Sequence, residues 1–121
     1  MAEFAAKTVL ITGADGNLGR KLTDAFTAAP WCRRVIALDR SGVPGHFAAE
    51  ARSKVVAVSA DLTKADGAWT RSFADADVCI HLAAQHANVD ATWSDAMASF
   101  DMTVNVGLSA FRHRVCRIVF A

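Results

Sequence analysis

The protein has 121 residues, of which 53% are hydrophobic and 21% are charged, a composition typical of one folded domain that can bury a core. Thirteen Lys and Arg residues against twelve Asp and Glu residues give a formal net charge of +1, so we expect no nucleic-acid partner and no attachment to an acidic membrane. No segment approaches the roughly 20 apolar residues of a membrane span, and residues 1–7 lack the pattern of a signal peptide.

The first predicted element is a strand, formed by the apolar run at residues 8–11. The next segment predicts a helix that Pro30 ends, because its apolar residues fall on one helical face: Leu18, Leu22, Ala25, Phe26 and Ala29. Residues 35–38 predict a second strand. Residues 41–50 predict a loop that leads into a short helix.

In the second half of the chain, residues 55–58 and 78–82 predict the third and fourth strands, with a helix at residues 64–73 between them. A longer helix is predicted next by apolar residues that recur every three or four positions: Trp93, Met97, Phe100, Val104, Leu108 and Phe111. Residues 117–120 predict a fifth strand, after which the sequence stops.

All five apolar runs are continuous rather than alternating, which predicts strands buried on both faces of a parallel sheet covered by helices. Parallel neighbours need right-handed helical crossovers. The alternation of strands and helices therefore predicts an α/β fold with a doubly wound parallel sheet of strand order 3-2-1-4-5.

A glycine-rich loop joins the first strand to the first helix. Gly13 and Gly16 lie where the backbone must turn tightly and approach a phosphate, and Gly19 would let helix and strand pack closely. The amino end of the helix, with Asn17 and Leu18, offers unpaired backbone N–H groups and a partial positive charge. The loop therefore predicts a site for the pyrophosphate of a dinucleotide.

Asp39 comes twenty residues after Gly19, at the end of the second strand. A carboxylate there can accept hydrogen bonds from both adenosine ribose hydroxyls and would repel a 2′-phosphate, which favours NAD over NADP. Arg40 makes the preference for NAD over NADP less definite, because its guanidinium could meet a 2′-phosphate or lie over the adenine. The alternative is a glycine turn without a ligand, with Asp39 facing solvent.

These segments resemble the extended short-chain dehydrogenase/reductase family, the group of sugar epimerases, dehydratases and uronate dehydrogenases. The loop is similar to that family's Gly-x-x-Gly-x-x-Gly pattern, Asp61-Leu62 to its Asp-Leu pair, and His81-Leu82-Ala83-Ala84 to its His-x-Ala-Ala segment. The ending at residues 117–121 resembles the uronate dehydrogenase branch. The resemblance covers the whole chain and implies a Rossmann-type fold truncated after its fifth strand.

The resemblance also implies roles for individual residues. The Asp61 carboxylate would meet the adenine amino group, the Leu62 N–H would meet a ring nitrogen, and residues 82–84 would lie beneath the nicotinamide-side ribose. Gln85 and His86 would lead a loop that lines the substrate pocket. It further implies a sugar-type substrate and a homodimer in the full-length protein.

The sequence departs from the family pattern in two places. Ser99 stands where many relatives have a helix asparagine, and Asn105 lies nearly two turns later. The chain contains no tyrosine, so the catalytic Tyr-x-x-x-Lys is absent, and so is the family's catalytic serine. His81 does not replace them, because a buried strand end predicts a core imidazole with its hydrogen bonds satisfied.

We therefore predict no catalytic residue within this chain. Residues 1–121 are expected to be the amino-terminal NAD(P)-binding domain of a larger enzyme, which leaves open whether the chain by itself is an enzyme. The alternative is a non-catalytic module that binds or senses a dinucleotide. Because the apolar last strand would stand at an uncovered sheet edge, we expect residues 1–121 alone to be poorly soluble.

The cysteines bear on the cellular compartment. Cys32, Cys79 and Cys116 are odd in number and widely spaced, which fits neither a zinc site nor a secreted disulfide scaffold. Free thiols in a reducing compartment fit better, so we predict a cytoplasmic protein without a metal site.

Overall fold

The computed structural model describes residues 6–41, 53–85 and 88–121. Over these ranges the chain forms a five-stranded sheet in which neighbouring strands are parallel. The elements in chain order are β1 (Lys7–Thr12), α1 (Asn17–Ala28), β2 (Cys32–Asp39), β3 (Val55–Ser59), a 3₁₀ helix (Ala68–Asp75), β4 (Val78–His81), α2 (Trp93–Arg112) and β5 (Arg117–Phe120). The strand order β3-β2-β1-β4-β5 confirms the predicted doubly wound sheet.

The core covers both faces of the central strands β2, β1 and β4. Successive side chains of a strand point to opposite faces, so Leu10 packs toward the 3₁₀ helix and α2 while Val9 and Ile11 pack toward α1. Residues buried on the first face include Leu38, Leu62, Phe73, Cys79, Met102 and Val106. Helices therefore hold the sheet from both sides, as the alternating elements predict.

The expectation that every strand is buried on both faces is wrong for β3 and β5. These strands form the two edges of the sheet, and Ile118, Val119 and Phe120 of β5 are 46%, 45% and 65% exposed. Val56 of β3 is also exposed. A continuous apolar run predicts a strand, but burial needs a further layer of structure that the run does not specify.

Helix α1 packs on the sheet through small side chains. Its buried residues are Gly19, Thr23 and Thr27, whereas Leu18 and Ala25 of the predicted apolar face are exposed. At Gly19 the helix lies so close to the glycine loop that a Cβ there would overlap the Gly13 carbonyl oxygen. The helix itself and its end before Pro30 are confirmed.

Helix α2 is confirmed over its predicted length, but its apolar stripe faces outward. The residues buried against the sheet are Met102, Val106, Ser109 and Ala110. The stripe is exposed along its whole length, at Trp93, Met97, Phe100, Val104, Leu108 and Phe111. The helix thus carries an apolar surface that the described residues leave uncovered.

The prediction of a helix at residues 64–73 is only partly correct. Residues 64–67 form a turn, in which the Trp69 Nε1–H donates to the Lys64 carbonyl oxygen at 3.1 Å, and a 3₁₀ helix follows from Ala68. The loop and short helix predicted at residues 41–50 lie, apart from Ser41, outside the described residues. Within the described ranges, no helix is long and apolar enough to cross a membrane.

Candidate functional site

A cleft of about 220 Å³ opens at the carboxyl edge of the sheet, beside the point where the strand order reverses around β1. In doubly wound folds this switch point is where ligands bind. The residues that line the cleft are Gly13, Gly16, Leu38, Asp39, Arg40, Ala60, Leu62, Leu82, Ala83, Ala84, Gln85 and Met102. The structure thus brings together segments that follow four different strands.

The glycine loop forms the floor of this cleft and needs its glycines for two different reasons. Gly13 has φ +69°, and a Cβ there would lie 2.9 Å from the Ala83 backbone nitrogen. A Cβ at Gly19 would overlap the Gly13 carbonyl oxygen and the backbone of Ala14. Gly13 therefore lets the loop lie against the segment after β4, and Gly19 lets α1 lie against the loop.

Gly16 is the N-cap residue of α1, and no side chain there accepts a hydrogen bond from the first turn of the helix. The first N–H groups of the helix, from Asn17, Leu18 and Gly19, have no partner one turn earlier within a helix, and a helix amino end carries a partial positive charge. Asn17 and Leu18 are exposed there. This combination of open backbone donors and a nearby cleft suits a phosphate group.

Thr12 and His81 tie the ends of β1 and β4 together beneath the cleft. The Thr12 hydroxyl accepts hydrogen bonds from the backbone N–H groups of Leu82 and Ala83, at 3.1 and 3.2 Å. These two bonds occupy both lone pairs of the hydroxyl oxygen, so the hydroxyl donates its own proton to His81 Nδ1, 2.6 Å away. The ring proton of His81 is then on Nε2, which donates to Thr103 Oγ1 at 3.1 Å. We call this arrangement the Thr12–His81 clamp.

The clamp confirms that His81 is a buried imidazole with both ring nitrogens satisfied. Its neutral form is the one that accepts from Thr12, and burial lowers the pKa of His81 below the ordinary value. The clamp fixes the backbone of Leu82 and Ala83, which line the cleft.

This geometry predicts a loss of stability on acidification. The pKa of His81 is lower in the folded state than in the unfolded chain, so its contribution is complete above about pH 6.5 and is lost as the pH falls below that value. Chemical denaturation at pH 7.5 and pH 5 should show a smaller drop in the free energy of unfolding for His81→Gln than for the wild type. His113→Gln, outside the clamp, is the control and should keep the wild-type drop; equal drops in all three proteins would contradict the prediction.

Asp39 is held at the cleft wall by the glycine loop and by the residue that follows Arg40. Its Oδ2 accepts from the Asp15 backbone N–H at 3.0 Å, and its Oδ1 accepts from the Ser41 N–H and hydroxyl at 3.3 and 3.2 Å. Each carboxylate oxygen has two lone pairs, so these bonds orient the group and leave it able to accept further hydrogen bonds. These contacts hold Asp39, which is half-buried, at the cleft wall, and the alternative of a glycine turn without a ligand stays a hypothesis.

Arg40 crosses the cleft instead of pairing with Asp39. Its Nη1 donates to Gln85 Oε1 at 3.3 Å, so a side chain that follows β2 meets one that follows β4. This contact places the guanidinium at the cleft, and both roles considered for it, meeting a 2′-phosphate or lying over the adenine, stay predictions.

Asp61 and Leu62 follow β3, and their arrangement is held by two further side chains. Asp61 Oδ1 accepts from the Thr63 hydroxyl and N–H, at 2.6 and 3.1 Å, and these hydrogen bonds hold the pKa of Asp61 below its usual value. The Asn105 amide of α2 donates to the Leu62 carbonyl oxygen at 2.8 Å. Leu62 lines the cleft, and Asp61 lies beside it.

Ser99 of α2 holds the backbone of Gln85. The Ser99 hydroxyl accepts from the Gln85 N–H at 2.8 Å and lies 3.4 Å from the Gln85 carbonyl oxygen. Two residues of one helix therefore hold two different segments: Ser99 binds the segment after β4, and Asn105 binds the segment after β3. His86, the other predicted substrate residue, lies outside the described residues.

Sequence reasoning missed several residues of the cleft. Leu38 and Ala60 directly precede the predicted Asp39 and Asp61. Their positions next to predicted site residues could have identified them as lining the cleft. Met102 reaches the cleft from the buried side of α2, which the outward apolar stripe concealed. Among the described residues, no group of three or more His, Cys, Asp or Glu side chains could hold a metal ion.

Two solved structures of uronate dehydrogenase from Agrobacterium tumefaciens resemble this chain. The first is 26% identical with a TM-score of 0.78, and the second, a mutant complexed with NAD, is 27% identical with a TM-score of 0.77. Each match covers 97% of this chain and 41% of the other, so the chain spans less than half the length of that enzyme.

The Bordetella bronchiseptica enzyme WbmG, solved in complex with NAD, shares the fold at 22% identity, with a TM-score of 0.73 over 95% of this chain and 37% of the other. No curated protein matches the sequence significantly. The model of the NAD-dependent epimerase/dehydratase family matches residues 9–121. The chain belongs to this family, within the extended short-chain dehydrogenases/reductases.

Proposed function

We propose that this chain binds NAD in the cleft at the carboxyl edge of the sheet. The observation that carries the proposal is the junction at Gly16, where α1 begins without a side-chain cap and faces the cleft that Asp39 also lines. A pyrophosphate carries negative charge, which a helix amino end favours, and a ribose carries two hydroxyls, which a carboxylate accepts.

The residues present fit such a dinucleotide. The backbone at Gly13, Gly16, Asn17 and Leu18 would hold the pyrophosphate, with Gly19 keeping the helix close to the loop. Asp39 would accept from the adenosine ribose. The remaining cofactor contacts would come from Arg40, Asp61, Leu62, Leu82, Ala83 and Ala84, and all of these except Asp61 line the cleft.

We further propose that the whole protein is an oxidoreductase or an epimerase/dehydratase that acts on a sugar, a sugar acid or a nucleotide sugar. Bound nicotinamide would supply or take a hydride. Residues 1–121 would then be the amino-terminal NAD-binding part, with Gln85 and His86 near the substrate. The family match and the likeness to uronate dehydrogenase over 41% of its length support this assignment.

A second candidate function is kept as the alternative. These 121 residues contain no tyrosine, so the family's proton-relay Tyr-x-x-x-Lys is not among them, and a non-catalytic dinucleotide-binding or sensing module is the alternative. The next sixty codons of the gene distinguish the two. A Ser-Ser or Ser-Asn pair followed by Tyr-x-x-x-Lys supports the enzyme, whereas a stop codon supports the module.

Binding is tested by titrating the purified protein with NAD and, separately, with NADP in a calorimeter. We expect one NAD to bind per chain, and to bind more tightly than NADP. An absence of heat with both dinucleotides at millimolar concentration, for a protein shown to be folded by circular dichroism, would overturn the proposed site.

The exposed stripe of α2 supports a second copy of the chain as partner. Trp93 and Phe111 are 85% and 82% exposed, and monomeric proteins rarely expose so long an apolar face. We propose a homodimer of the full-length protein, located in the cytoplasm, where the free thiols of Cys32 and Cys79 persist.

Light scattering after gel filtration tests the dimer. We expect the double variant Trp93→Glu and Phe111→Glu to elute as a folded monomer, because two buried charges at an interface cost several kcal/mol. Val56→Glu, at an exposed apolar position on β3, is the matched control and should keep the wild-type mass. A wild-type protein that is already monomeric at about 100 μM would contradict the proposal.

A further inference from the structure

A second cleft, of about 290 Å³, opens at the amino edge of the sheet, at the other end of the strands from the proposed NAD site. Its lining residues are Lys7, Asp77, Val78, Cys116 and Arg117. Lys7, Val78 and Arg117 are the first residues of the neighbouring strands β1, β4 and β5. The cleft therefore lies where three parallel strands begin, and its volume is close to the roughly 300 Å³ at which sites for small ligands start.

Asp77 is fixed in this amino-edge cleft by hydrogen bonds to the segments on both sides of it. Its Oδ2 accepts from the Thr8 N–H at 2.8 Å, and its own N–H donates to the Thr8 carbonyl oxygen at 2.9 Å. Its carbonyl oxygen accepts from the Cys116 N–H at 3.1 Å. Among the described residues nothing donates to Asp77 Oδ1, so the half-buried carboxylate can accept a hydrogen bond from a ligand.

Two cations flank Asp77 in the cleft. Lys7 and Arg117 are both exposed, and within the described part of the chain neither side chain has an ion-pair partner. They begin the strands on either side of β4, so their backbones lie about 10 Å apart at the ordinary strand spacing. Two long side chains can close that distance on one small oxyanion, to which ammonium and guanidinium groups both donate.

We propose that the amino-edge cleft binds inorganic phosphate. Lys7 and Arg117 supply positive charge for an oxyanion, and Asp77 supplies an acceptor that selects a protonated one. Inorganic phosphate keeps at least one P–OH group at neutral pH, and this group can donate to the carboxylate. Sulfate keeps no proton, and a phosphate monoester has lost its proton in most molecules at about pH 7.5, so the oxygens of both would face the Asp77 charge.

Protection of Cys116 from alkylation tests the proposal. Cys116 lines the cleft and is exposed, whereas Cys32 and Cys79 are buried, so iodoacetamide should modify Cys116 first. Protection is the ratio of the modification rates without and with the anion, followed by intact-mass spectrometry. At about pH 7.5, we expect about 20 mM phosphate to protect at least about threefold, and sulfate or glycerol 3-phosphate at matched ionic strength less than about 1.5-fold.

Asp77→Asn tests the selection of a protonated anion. The amide keeps an oxygen for the Thr8 N–H and adds an NH₂ group that can donate to any oxyanion. Sulfate should then protect Cys116 as well as phosphate does. Asp75→Asn, an exposed change outside the cleft, is the matched control and should keep the wild-type preference for phosphate.

Arg117→Gln keeps the test decisive if Asp77→Asn folds poorly, because Arg117 is exposed. This variant should lose the protection by phosphate, whereas Arg34→Gln, an exposed change on β2, should retain it. Equal protection of the wild type by phosphate and sulfate, or no protection by any of the three anions, would overturn the proposal. So would an Arg117→Gln protein that phosphate protects as before.

Discussion

Gly19→Ala is expected to lower the free energy of unfolding by about 1–3 kcal/mol and to abolish dinucleotide binding. The added Cβ would overlap the Gly13 carbonyl oxygen and would lie 2.7 Å from Ala14 Cα, both of them backbone atoms that no change of rotamer can move. The added methyl group could be accommodated only if the helix moved away from the loop. Such a shift would remove the first-turn N–H groups from the proposed pyrophosphate position.

Gly107→Ala is the matched control because it makes the same chemical change inside α2. Apart from its chain neighbours and the backbone of its own helix, no described atom lies within 4 Å of a Cβ built there, so alanine should raise stability by about 0.5–1 kcal/mol through its better helix propensity. Opposite signs for the two substitutions, measured by urea denaturation with NAD titrations alongside, are the expected result. A Gly19→Ala protein as stable as the wild type would show that the close packing at Gly19 is dispensable.

The sheet and the glycine loop could be predicted because their signals are local. Apolar runs of four or five residues mark the strands, and the requirement for short right-handed crossovers then leaves the order 3-2-1-4-5. Gly13 and Asp39 could be identified from spacing alone, since a tight turn and a strand end fix where they lie. The structure places both at the same cleft.

The outward face of α2 could not be predicted in the same way. Periodicity shows that Trp93, Phe100 and Phe111 share a face, but it does not show which structure covers that face. The face of α2 that packs against the sheet is instead the one with Met102 and Val106, whose apolar side chains are buried there. The contacts of Ser99 and Asn105 were hidden for a related reason, because a polar residue in a helix does not reveal which backbone it will reach.

Asp39→Asn is expected to weaken NAD binding by about tenfold or more, because hydrogen bonds to a charged acceptor contribute about 1.5–3 kcal/mol each. The amide retains an oxygen for the Asp15 N–H, and its NH₂ group can donate to the Ser41 hydroxyl; the bond from the Ser41 N–H is lost, but that N–H is exposed, so the fold should survive. Binding of NADP should weaken less than binding of NAD or should strengthen, because the substitution also removes a negative charge that opposes the 2′-phosphate.

The ratio of the NAD and NADP affinities separates a role in ribose recognition from a merely structural one. Loss of Asp39 as a structural acceptor for Asp15 and Ser41 would loosen the loop and weaken both dinucleotides alike, leaving the ratio unchanged. Asp101→Asn, an exposed change on α2, controls for the loss of charge at a distance. Equal affinity of the wild type for NAD and NADP would remove Asp39 from cofactor selection altogether, because a carboxylate at the ribose cannot receive a hydroxyl and a phosphate dianion equally well.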